Sequence, residues 1–204
     1  DRCLADPAAA VHRARVGVAG LSVPVAELLA APIDRALRWA GAADHAIVVL
    51  APSNWGISRV SRLTAAVREL QVEARVVRSA LASAEALSSS SSRWAVCVET
   101  CRSRTTVSLV ERTRAGLTLV DRAVVPRRDV TRDGFDTDEV PRILGAIAEV
   151  RRRRREAGTG STEVLARGRL AERIVDACDR ARLLAFTVPP IASVEAATRL
   201  YAPS

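Results

Sequence analysis

Apolar positions recur along this chain with two different periods, and the change of period divides it. In the first half the spacing is mostly helical. Leu28, Leu29, Ile33, Leu37 and Ala40 fall on one helical face between Val25 and Trp39. Pro32 interrupts that stretch, and an interior proline costs about 3 kcal/mol, so a kink or break is expected there. Gly41 supplies the stop. Ala46–Ala51 is a short continuous apolar run, the pattern of a strand covered on both faces in a parallel or mixed sheet. A turn at Pro52–Gly56 follows. Val60, Leu63, Thr64, Val67 and Leu70 then mark an amphipathic helix. A strand is expected in Glu73–Arg78 and an alanine-rich helix in Ser79–Leu87. Residues 1–15 carry no clear period, and Arg15–Gly20 reads as a short strand or a loop. Strand, helix, strand, helix in this space is an α/β unit.

Five consecutive serines, Ser88–Ser92, read as a linker or exposed loop between lobes, since they combine small side chains with a mobile backbone. Beyond them the period drops to two. Trp94, Val96 and Val98 alternate with Ala95, Cys97 and Glu99, and Thr105, Val107 and Leu109 with Thr106, Ser108 and Val110. A turn at Arg114–Gly116 leads to a strand at Leu117–Val125, which completes a three-stranded meander. A helix is expected over 137–156, with Val140, Ile143, Leu144, Ile147 and Val150 on its apolar face and Pro141 in its tolerant first turn. Then come a strand at Glu163–Ala166, a helix at Leu170–Arg182, a strand at Leu183–Val188 and a helix at Ile191–Tyr201. The expected organisation is a first lobe in 1–87, the serine linker in 88–92, and a second lobe in 93–204 of order βββαβαβα.

Composition narrows the class. The chain has 204 residues, 49% hydrophobic and 26% charged, which describes a folded globular protein. No apolar stretch reaches the roughly 20 residues of a membrane span. No secretory signal is present, which sets a cytoplasmic expectation. The chain opens at Asp1 without methionine, and a piece of a longer protein is expected. All 31 basic residues are arginine, against 23 acidic ones, for a net charge of +8. Five of those arginines form one run, Arg151–Arg155, and without them the balance falls to +3. The lysine-free, arginine- and alanine-rich usage is that of a GC-rich genome. The basic run closes a helix, where cations complement the carbonyl end of the dipole. Few aromatics accompany it for base stacking, which argues against nucleic acid as its partner.

Candidate chemistry is sparse. Cys3, Cys97, Cys101 and Cys178 have no metal-binding spacing, and His12 and His45 lie far from them in sequence. Neither histidine has a nucleophile in a recognisable context. Asp133, Asp136, Asp138 and Glu139 cluster where they would cap the following helix. Trp55 and Trp94 read as core. No metal and no catalytic residue is assigned.

The ordered series of segments resembles a known superfamily. Ile47-Val-Val-Leu-Ala-Pro52, then Ser-Asn-Trp-Gly56 and Arg59, resembles the "V-T-x-P-A" strand of the DnaK-type heat-shock chaperone branch of the actin-like ATPases. Val76–Leu87 is similar to its "E-P-x-A-A-A" connection, and Trp94–Glu111 to its phosphate-binding hairpin. Val164–Ile174 resembles its adenosine-binding segment, and Ala192–Tyr201 its final helix. The resemblance implies RNase H-like lobes with mixed sheets, with the first phosphate hairpin preceding Asp1 and the inserted subdomain missing between Asp136 and Thr162. A narrower resemblance joins Val16–Ala19, Val23–Ala30, the Pro52-Ser-Asn-Trp55 turn and Arg78–Leu81 to actinobacterial type VII secretion-associated proteins with a degenerate chaperone-ATPase-like domain.

The motifs that would hold nucleotide are altered. The family's D-x-G-G-G-T loop needs glycines so that backbone N–H groups reach phosphate. Here the matching stretch is Glu99-Thr100-Cys101-Arg102-Ser103-Arg104, and of the paired glycines of the adenosine motif only Gly168 survives, after Arg167. The resemblance therefore implies a vestigial nucleotide cleft marked by Glu99 and Gly168, no cofactor, and a protein partner, such as a secretion-system component. An active ATPase using ATP and magnesium, and an arginine-patch binder of nucleic acid, are the competing expectations.

Overall fold

A computed structural model describes residues 15–18, 21–41, 46–87, 92–101, 104–126, 139–155 and 161–201. The expectations for residues 1–14, for most of the serine run and for Asp133, Asp136 and Asp138 lie outside these. The protein is α/β and separates into two compact units. One comprises the chain up to Ala51 together with Trp55–Val77. The other comprises Pro52–Asn54 and everything from Arg78 onward.

The first unit begins with the antiparallel hairpin β1 (Arg15–Val18) and β2 (Leu21–Pro24). Helix α1 (Val25–Ala40) follows directly and ends on Gly41, whose left-handed φ of 64° closes the last turn. β3 (Ile47–Ala51) pairs with β4 (Ala74–Arg78) in a second two-stranded sheet, and α2 (Ile57–Arg68) lies between them in sequence. Val25, Leu29, Ala30, Leu63, Ala66, Val67 and Trp55 form the core of this unit. The expected break at Pro32 does not occur. α1 runs through it, and Pro32 sits on the exposed side of the helix. β2 was not expected, because Leu21–Pro24 is too short to show a period.

The second unit follows the expected order closely. α3 (Ser79–Leu87) precedes β5 (Trp94–Thr100), β6 (Arg104–Thr113), β7 (Gly116–Pro126), α4 (Glu139–Arg155), β8 (Thr162–Gly168), α5 (Ala171–Arg180), β9 (Ala185–Thr187) and α6 (Pro190–Tyr201). The five strands form one mixed sheet in the order β7-β6-β5-β8-β9. β5, β6 and β7 are an antiparallel meander, while β8 and β9 extend the sheet in parallel from β5.

Helices cover both faces of that sheet. Trp94, Val96 and Val98 pack with Val107 and Leu109 against Ile143, Ile147 and Ile174 of α4 and α5. Each fully buried aliphatic side chain there contributes roughly 1.5–3 kcal/mol. The opposite face carries Ala95, Cys97, Val110 and Leu165 against Ala80 and Ala84 of α3. β5 is consequently buried along its whole length, although its sequence alternates. α3, expected with the first lobe, packs on this sheet, so the division between units falls at Val77/Arg78 rather than at the serines. Ser92, the described residue of the serine run, is buried and donates its hydroxyl to the Trp94 carbonyl.

Candidate functional site at the carboxyl end of β5

Parallel pairing fixes where the two predicted site residues lie. Glu99 stands opposite Arg167, and Thr100 opposite Gly168, at the carboxyl ends of the two central strands. Open α/β sheets place their ligand sites at these ends. Glu99 and Gly168 are thus brought together, yet their surroundings differ. Successive side chains on a strand point to opposite faces. Glu99 shares the α3 face with Cys97, and Thr100 shares the α4–α5 face with Val98.

Glu99 is buried, at 7% exposure. Ser79 Oγ donates to Glu99 Oε1, and the Ser53 backbone N–H donates to Oε2 at 3.3 Å. The Ser53 and Ser79 hydroxyls lie 3.2 Å apart, and the Ala80 N–H at the start of α3 donates to Ser53 Oγ at 2.7 Å. Both carboxylate oxygens are therefore held by the protein. Arg78 and Arg122 each donate to the Ser53 carbonyl. Burial, and then the neighbouring Arg122, lower the proton affinity of Arg78. The same sheet face holds Cys97, whose thiol donates to the Ala80 carbonyl at 3.2 Å. Burial first, then the Glu99 and Glu163 carboxylates, push its pKa up against the opposing charge of Arg167. It packs as a fully buried residue between the sheet and α3.

Gly168 has a φ of +92°, and a Cβ there would lie 2.2 Å from the Thr100 carbonyl oxygen. Its lack of a side chain lets β8 close onto β5 at Thr100. The Thr100 hydroxyl donates to the Arg167 carbonyl at 3.0 Å and accepts from the Leu170 N–H at 3.1 Å. Arg169 next seals this edge. It binds both oxygens of Glu139, at 2.6 Å to Oε1, and its Nε donates to the Cys101 carbonyl at 3.3 Å. Thr105 also donates to Glu139. Glu139, expected as part of an acidic cap, stands in the first turn of α4 and is also a buried ion-pair partner, with 3% of its side chain exposed. The hairpin turn after β5 is closed by the Cys101 N–H donating to the Arg104 carbonyl at 2.9 Å, while Arg102 and Ser103 lie outside the described residues.

Sequence reasoning singled out Glu99 and Gly168 and missed the groups around them. Ser53, Arg78 and Ser79 sit in segments expected only as a turn, a strand and a helix, Glu139 was marked only as a helix cap, and nothing in the local sequence marks Arg122 or Arg169. A groove lies elsewhere, between α4 and α5. It is open, measures about 610 Å³ and is lined by Val140, Leu144, Ala177, Arg173 and Arg180 among others. Of the basic run, Arg152 and Arg153 both bind Glu149, and Arg153 reaches Asp121 at 3.4 Å. Trp55 and Trp94 are buried. Among the described residues no His, Cys, Asp and Glu group could hold a metal ion, and no helix is long and apolar enough to cross a membrane.

Fold and site together define an α/β protein with helices on both faces of a mixed five-stranded sheet. No protein-family description matches the chain, and no curated protein matches it.

Proposed function

We propose that the chain is a non-catalytic interaction domain of the actin/DnaK-like type, a pseudo-ATPase with an RNase H-like second lobe. In this reading it takes no cofactor and works in the cytoplasm, binding a protein component of an actinobacterial type VII secretion system. The fold reading is supported by the order βββαβαβα combined with a sheet order of third, second, first, fourth and fifth strand. The observation that carries the functional reading is the occupancy of the positions that the resemblance assigns to nucleotide. Glu99 accepts hydrogen bonds from Ser79 and Ser53, and the space beside Gly168 is taken by Thr100. The adjoining edge is closed by the Arg169–Glu139 pair. A phosphate loop works through free backbone N–H groups and an available carboxylate, and here the carboxylate is already engaged. Such a fold acts as a rigid scaffold whose loops recognise a partner.

A phosphate-release assay with ATP and magnesium tests this. The expected outcome is no release above background, and no difference between the natural protein and Glu99→Gln. Release that disappears in Glu99→Gln would establish a divergent ATPase instead.

A further inference from the structure

β9 is an edge strand. β8 pairs with one side of it, and no other strand among the described residues pairs with it. The Leu184 carbonyl accepts from the Val164 N–H at 2.9 Å, and the Val188 N–H donates to the Ala166 carbonyl at 2.8 Å. Backbone groups alternate in direction along a strand, so Ala185 and Thr187 turn their N–H and C=O to the open side. Such an edge is a template for another strand. Exposed apolar side chains border it. Phe186 stands opposite Leu165, on the sheet face that carries α3, and Leu184 shares that face. Leu184 is 60% and Phe186 40% exposed. α6 lies on the same side, with its Ser193 hydroxyl 3.4 Å from that of Ser83 in α3. It exposes Ile191 and Val194, three residues apart on one helical face. Residues 183–194 hold no charged side chain, in a chain that is 26% charged and carries a net +8.

We propose that this edge docks a second copy of the chain, β9 against β9 across a two-fold axis. Antiparallel pairing centred on Phe186 sets Ala185 of each copy opposite Thr187 of the other. These are the outward-facing residues, so each such pair exchanges two N–H···O=C bonds. Between them the two Phe186 side chains meet in the closer, non-hydrogen-bonded pair, and Leu184 stands opposite Val188 of the second copy. One register thus satisfies the backbone donors and the apolar side chains of both copies with the same patch, as an isologous interface requires. Charge selects the same occupant. Two copies at +8 repel each other where their arginines meet, and an uncharged face lets them approach. The proposal does not depend on the family reading, since it uses β9 and α6 and no nucleotide position.

Sedimentation equilibrium of the intact protein, at concentrations up to about 0.5 mM, tests this. A monomer–dimer equilibrium is expected. It should tighten as salt rises, because screening weakens the repulsion between copies and leaves the apolar contact in place. Phe186→Glu should weaken the dimer about a hundredfold. Ile191→Glu, outside the strand, should also weaken it, and it serves as the test if Phe186→Glu does not fold. A chain that stays monomeric to about 0.5 mM would overturn the proposal. So would a dimer that salt dissociates, or one whose affinity is unchanged in a folded Phe186 or Ile191 variant.

Discussion

At Gly168 a single missing Cβ decides how two strands meet. The φ of +92° is one that side chains rarely adopt, and the nearest obstacle is the Thr100 backbone carbonyl, which no rotamer change can clear. Gly168→Ala is therefore expected to lower the unfolding free energy by more than about 2 kcal/mol. Urea unfolding of the variant measures this, and a loss under about 0.5 kcal/mol would show that β8 shifts away from Thr100 at little cost. The glycine was legible in the sequence, but for a different reason. The resemblance marked it as a place for nucleotide to approach, and in the structure its missing Cβ leaves room for Thr100 of β5. Glu99 was legible in the same limited sense. Its position at the end of a strand followed from the alternating pattern, while its engagement by Ser53 and Ser79 depends on chain 46 and 20 residues away. Contacts over that separation leave no mark on a local period.

Elements were easier to read than their surroundings. The long periodic ones, α2, α4 and the strands β5 to β7, lie close to their expected places, because burial of one face imposes the period. α1 shows where a local rule yields, since an exposed Pro32 is carried by a helix whose other face is anchored in a core. β5 shows the converse. Its sequence alternates, yet both faces are covered, the second by alanines of α3, small residues that carry little periodic signal. The end of α4 also follows helix rules. Hydrogen bonds first from Arg152 and then from Arg153 lower the pKa of Glu149 from 4.5 to about 2. A depressed carboxylate pKa contributes stability that is complete above its unfolded value. That contribution should thus be intact above pH 4.5 and lost as the pH falls through about 2. Carboxyl NMR should place the Glu149 midpoint near 2, and Arg152→Gln should raise it. A midpoint at the ordinary carboxylate value in the natural protein would contradict the pairing.

Over the whole molecule, the net charge of +8 loses its first meaning once the charges are placed. Arg152 and Arg153 are spent on Glu149 and Asp121, Arg169 on Glu139, and Arg78 and Arg122 meet at a carbonyl. These arginines work as structural donors, through their planar forks. At the carboxyl end of the central strands the Glu99 carboxylate and the Thr100 hydroxyl are likewise engaged by the protein itself. This is the basis for reading the fold as a scaffold for partner binding and not as a catalyst. The most direct test is calorimetry of the intact protein with ATP and magnesium. The account predicts no heat of binding beyond dilution. Saturable binding at micromolar concentration, abolished by Glu99→Ala, would contradict it.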